Sequence, residues 1–113
     1  MKVTIRLHDE FKRQFRRLCK KYRSLTDDLA AFQKEIQKNP FQGVDLGGGV
    51  RKIRMSVKSK GRGRSGGARV LTLNVLISDE ADVTLLTIYD KNEIDSVSDE
   101  YIKWLVNELR SSL

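Results

Sequence analysis

The sequence contains one cysteine (Cys19), one proline (Pro40) and one histidine (His8). A single cysteine excludes an intramolecular disulfide framework and a cysteine-based zinc site. No apolar run reaches the roughly 18 residues of a spanning helix, which excludes a transmembrane helix. The start, Met1-Lys2-Val3-Thr4-Ile5-Arg6, meets charge too early for a signal peptide. A lone histidine at a strand–helix junction points to a cap or a surface residue before a catalyst. No His/Cys/Asp cluster has metal-ligand spacing and no Ser/His/Asp arrangement can be drawn, so neither a metal nor a cofactor is expected. A further absence is local: residues 46–78 contain no aspartate or glutamate.

What is abundant is positive charge. The 113 residues hold 22 Lys plus Arg against 15 Asp plus Glu, a net charge of +7. This length suits one domain spanning 1–113, expected in the cytoplasm. Residues 1–45 carry 11 basic and 6 acidic groups, residues 46–78 carry 8 basic groups, and residues 79–113 carry 3 basic and 9 acidic groups. The excess is therefore one block: Arg51, Lys52, Arg54, Lys58, Lys60, Arg62, Arg64 and Arg69. Such a block fits a nucleic-acid contact surface or a solvated charged loop.

Hydrophobic periodicity supplies the elements. Val3 to Leu7 alternates as a half-buried strand. Asp9 is placed to cap a helix whose stripe is Phe11, Phe15, Leu18, Cys19 and Tyr22. Lys12, Arg13, Arg16, Arg17, Lys20 and Lys21 fill its other face, either solvated or facing phosphate. Thr26 is placed to cap a second helix with the stripe Leu29, Phe32 and Ile36, ended by Asn39-Pro40. A loop from Phe41 to Gly49 follows. Ile53, Met55 and Val57 then alternate with Lys52, Arg54 and Ser56, which places Lys52 and Arg54 on one face. Lys58 to Gly67 reads as a connection too polar to pack. Ala68–Ile77 and Val83–Tyr89 form a hairpin. Ser98 caps a last helix with the stripe Ile102, Leu105, Val106, Leu109 and Leu113. The fold class is α+β in the order β-α-α-β-β-β-α, an antiparallel sheet with its helices gathered on one face.

Gly61-Arg62-Gly63-Arg64-Ser65-Gly66 matches G-x-G-x-x-G, but a strand rather than a helix follows it, which speaks against a dinucleotide fold. The sharper set is Lys52, Arg54 and Arg69 on neighbouring strands. Period two puts Arg69 in phase with Leu71 and Leu73, unless a bulge after Gly66-Gly67 resets it. Tyr101 and Trp104 suit a small contact surface or a cover over the sheet edge.

Three segments carry a resemblance: Val50-Arg51-Lys52-Ile53-Arg54, Lys60 through Val70, and Leu85-Leu86-Thr87-Ile88-Tyr89-Asp90-Lys91-Asn92-Glu93. With Asn39-Pro40 and Gly43, they resemble RelE/HigB-type toxins of bacterial type II toxin–antitoxin modules, over nearly the whole chain. The resemblance implies a ribosome-dependent mRNA endonuclease that uses the RNA's own 2′-hydroxyl and needs no metal. It implies Lys52, Arg54 and Arg69 as catalytic residues, with Lys91 standing in for an arginine that some members carry where this chain has Asn92. Lys58, Lys60, Arg62, Arg64 and Tyr89 are implied to contact RNA or the ribosome. Tyr101 and Tyr89 are the candidates for a base-stacking tyrosine. The implied partners are an antitoxin, the ribosome and mRNA. Alternatives are a ParE-like gyrase inhibitor, a protein binder that would not need the Lys52/Arg54/Arg69 set, and a non-catalytic RNA- or ribosome-binding module.

Overall fold

The computed structural model describes residues 1–61 and 66–111. Among them the chain runs β1 (Lys2–Leu7), α1 (Asp9–Cys19), α2 (Leu25–Lys38), β2 (Val44–Gly47), β3 (Val50–Met55), a 3-10 turn (Lys58–Lys60), β4 (Ala68–Ile77), β5 (Glu80–Asp90) and α3 (Asp99–Ser111). The α+β class holds, with one more strand than expected. β2 lies in the stretch read as a loop, and all four of its residues are exposed. Val44 and Leu46 do alternate with Asp45 and Gly47, but four exposed residues between glycines are too short a run to tell a strand from a loop.

The five strands lie in the order β1-β5-β4-β3-β2. β2 to β5 are antiparallel to their neighbours, whereas β1 runs parallel to β5, with Ile5 opposite Val83. The sheet is thus mixed rather than wholly antiparallel. Alternation in β1 reveals a buried face but not the partner, which lies more than seventy residues along the chain.

The helices do not share one face. α1 and α2 place Phe11, Leu18, Phe32 and Ile36 against Ile53, Val70, Val83 and Ile88. α3 places Leu105 on Val50, Leu71, Leu86 and Tyr89, the side chains of the opposite face. A sheet apolar on both faces requires cover on both, and the consecutive buried pairs Val70-Leu71 and Leu85-Leu86 record that requirement. A register shift opposite Leu71/Thr72 leaves Leu86 as the extra residue of β5. The bulge reverses the phase, so Ile88 joins the α1/α2 core while Tyr89 stands opposite Arg69 on the α3 face.

The helix starts differ from expectation by one or two residues. His8 rather than Asp9 caps α1: its Nδ1 accepts from the Glu10 amide at 3.0 Å. Its Nε2 lies 3.0 Å from the Leu105 carbonyl oxygen, so the neutral ring with a proton on Nε2 satisfies both bonds. α2 starts at Leu25, one residue before Thr26, with Ser24 at the cap position. Ser24 Oγ instead donates to Asp28 (2.6 Å) and accepts from the Ser59 amide (2.9 Å). The buried Asp28 carboxylate also accepts from the Lys58 amide at 3.3 Å. The Lys58–Lys60 turn is thereby fastened to the start of α2, so this end of the polar connection does pack.

Candidate active site

Gly43 sets one wall of the main polar cleft. Its φ is +80°, and a Cβ there would stand 2.2 Å from the Lys52 carbonyl oxygen. Only glycine lets this backbone press onto β3. Arg51 braces the same approach by donating from Nε to the Gln42 carbonyl oxygen at 2.9 Å.

β3 and β4 supply the floor. Arg54 is directly opposite Arg69, and Lys52 is opposite Leu71. Cross-strand partners share a face, so Arg69, Lys52 and Arg54 converge in an uninterrupted register with no bulge after Gly66-Gly67. The phase that Arg69 shares with Leu71 and Leu73 is the face that α3 covers in part. Beyond α3 that face opens into a cleft of about 640 Å³ lined by Gly43, Lys52, Arg54, Arg69, Lys91 and Asp95, among others. All four residues implied as catalytic therefore line one cleft. Asp95, which no motif or spacing marks, is its single carboxylate among the described residues.

Arg69 is 6% exposed, and its Nη1 donates to the Ala68 carbonyl oxygen at 3.3 Å. Burial lowers its pKa, and the facing Arg54 lowers it further. Both effects disfavour the charged guanidinium, and an anion seated against the pair relieves them. Tyr89 is 4% exposed, and burial raises the pKa of its phenol. Its hydroxyl is buried without a hydrogen-bond partner among the described residues. So enclosed, the ring offers no open face to a base; it lies beside Arg69 instead.

The other expected contact residues divide. Lys58 is exposed on the 3-10 turn. Lys60 is turned inward: its Nζ lies 2.6 Å from Asp90 Oδ1, with side chains 5% and 1% exposed. An ammonium so enclosed is engaged within the fold rather than presented at the surface, unlike that of the exposed Lys58. Arg62 and Arg64 lie outside the described residues. Tyr101 is turned inward, donating to Glu10 Oε2 at 2.6 Å, while Trp104 stacks on it and stays exposed. Among the described residues no three His, Cys, Asp or Glu side chains are gathered as for a metal ion.

A second cleft of about 590 Å³ lies between α1, the 93–98 segment and α3. Its cations are already matched: Arg13 with Glu10 at 2.6 Å and Arg17 with Glu93 at 3.0 Å. The Lys52 cleft, with four cations and one carboxylate, is the one that attracts an anion.

The family model described as the RelE toxin of the RelE/RelB toxin–antitoxin system matches residues 10–110. The chain belongs to the RelE toxin family. The match runs from α1 through almost all of α3, so it includes both walls of the cleft. A RelE-family toxin acts within a toxin–antitoxin system, which gives this chain an antitoxin as its partner. No helix of the described residues is long and apolar enough to cross a membrane.

Proposed function

We propose that this RelE-family toxin is a ribosome-dependent mRNA endonuclease, with the Lys52/Arg54/Arg69/Lys91 cleft as its active site. The observation that carries the reading is the convergence of those four cations in one cleft. The reaction is attack of the RNA 2′-oxygen on the adjacent phosphorus with departure of the 5′-oxygen, leaving a 2′,3′-cyclic phosphate and a 5′-hydroxyl. Such a reaction asks the protein to orient the phosphate, to stabilise its growing negative charge and to move two protons.

Arg69 is suited to the growing charge, because its guanidinium is planar, permanently charged and held by burial before substrate arrives. Arg54, exposed and directly opposite, holds the incoming phosphate. Lys52 is placed to take the proton from the 2′-hydroxyl. Lys91, entering from the turn after β5, returns one to the 5′-oxygen. The chain's own groups account for each proton and charge in this scheme.

Induction in bacteria followed by primer extension of cellular transcripts tests the proposal. Cuts at codon positions that vanish when translation is blocked are expected. Intact mRNA accompanied by DNA damage would overturn the reading in favour of a gyrase-directed toxin. Arg69→Ala is expected to relieve growth arrest in a protein whose circular dichroism is unchanged, and full toxicity in that folded variant removes Arg69 from the mechanism. Removing one donor aimed at developing charge slows such reactions by about 100- to 1,000-fold.

A further inference from the structure

Asp90 ends β5, one residue before Lys91 and opposite the Ala68 that precedes Arg69. Its carboxylate is 1% exposed and gathers four donors from three parts of the chain. Oδ1 accepts from Lys60 Nζ at 2.6 Å and from the Asn92 amide at 2.9 Å. Oδ2 accepts from the Tyr22 hydroxyl and from Lys21 Nζ, the latter at 3.4 Å. The backbone oxygen of Asp90 accepts from the amides of Glu93 (3.0 Å) and Ile94 (3.2 Å), winding the turn that presents Lys91 and Asp95. Lys60 Nζ is 5.3 Å from the centre of the Tyr22 ring and 3.5 Å from the Gly67 carbonyl oxygen. One ammonium thus joins the two ends of the 60–67 connection to the corner between α1 and α2 and to the last residue of β5.

Stability alone gives little reason for such a pair. Desolvating two charges offsets most of their attraction, and a well-packed apolar pair of similar volume is often as stable. What an apolar pair lacks is direction. The carboxylate fixes the Asn92 amide and the turn behind it, and its four donors cover a negative charge that would otherwise stand beside an anion-binding cleft.

We propose that the buried Lys60–Asp90 pair, closed by Tyr22, is the positioning device of the cleft. It sets Lys91 relative to Arg69 and screens the Asp90 charge from the substrate phosphate. Lys60 and Asp90 are positioning residues and do not touch substrate. The proposal rests on the reading of the cleft as an RNA-cleaving site.

The test compares the wild-type toxin with Lys60→Met, Asp90→Asn and the apolar double variant Lys60→Met/Asp90→Leu. Thermal unfolding and single-turnover cleavage of mRNA on purified ribosomes are measured for each. Both single variants are expected to lose thermal stability and to cleave about 10- to 100-fold more slowly at saturating ribosomes. The ribosome concentration at half-maximal rate is expected to stay within about threefold, since the displaced group acts on the step after binding. The double variant is expected to regain the thermal midpoint but not the rate. A folded double variant that cleaves at the wild-type rate overturns the proposal, as does a defect confined to the half-saturating concentration. If the wild-type protein itself cleaves nothing, the reading of the cleft fails, and the positioning role fails with it.

Discussion

Arg69 and Lys60 come from the same basic block, yet their surroundings give them opposite tasks. Arg69 lines the floor of an anion-attracting cleft, directly opposite another cation, Arg54. Lys60 meets a carboxylate 2.6 Å away and is satisfied within the fold. Burial would raise the pKa of Asp90, but hydrogen bonds from Lys60, Tyr22 and the Asn92 amide overcome it and hold the carboxyl well below the usual carboxylate range. His8 shows a third use of a polar residue, capping α1 with one ring nitrogen and holding α3 with the other. His8→Ala is expected to lower stability by about 1–2 kcal/mol, the cost of a lost cap plus an orphaned carbonyl. His8→Asn should recover the cap but not the bond to Leu105. Urea unfolding reads both, and equal midpoints for wild type and His8→Ala would disprove the capping role.

At the scale of elements, α3 is the more lightly held helix. Leu105 is its one fully buried side chain, a contribution of roughly 1.5–3 kcal/mol, with Ile102, Val106 and Leu109 partly buried around it. Tyr101 adds a polar tie, donating to Glu10 of α1 and lying 3.0 Å from the Thr87 hydroxyl of β5. Burial first, and then the bond to Glu10, raises its pKa from the ordinary tyrosine value of 10.0 to about 12. The folded state therefore holds the phenolic proton more tightly than the unfolded chain. This contribution is whole below pH 10 and is lost as the pH rises through about 12. Between those values wild-type stability should decline more steeply than that of Tyr101→Phe. Parallel pH–stability curves for the two proteins would show that Tyr101 does not ionise with unfolding.

Over the whole chain, the acidic C-terminal third folds back to neutralise the N-terminal one. Asp82 meets Arg6 at 2.9 Å, Glu93 meets Arg17 at 3.0 Å and Asp90 meets Lys21 at 3.4 Å. What stays open is the part of the 46–78 block around the cleft, so the net charge of +7 is expressed most strongly on that side. The ribosome binding proposed for this toxin should weaken steeply with salt if phosphate contacts carry it, because each neutralised phosphate releases counterions. Lys58→Ala is expected to weaken ribosome binding evenly across messages and to make the log–log salt slope shallower by about one unit. Co-sedimentation with ribosomes at graded potassium chloride measures this, and an unchanged slope would place Lys58 outside the contact surface.

The sequence by itself determined the elements with a buried face and the location of the charge. The stripe from Phe11 to Tyr22, the alternation around Ile53 and the long hairpin from Ala68 were legible because a half-buried helix or strand must repeat with its own period. The family pattern likewise selects Lys52, Arg54, Arg69 and Lys91, and the fold brings those four to one cleft. Tertiary structure decided what periodicity does not encode: that β1 pairs with β5, that α3 crosses to the other face, and that exposed β2 completes the sheet. It also decided which cations serve the fold and which face the cleft. Lys60 and Lys58 are two residues apart and alike in sequence, and only a buried carboxylate from the far end of β5 separates their roles. A charge takes its function from what lies within a few ångströms of it, and for these residues those neighbours come from distant parts of the chain.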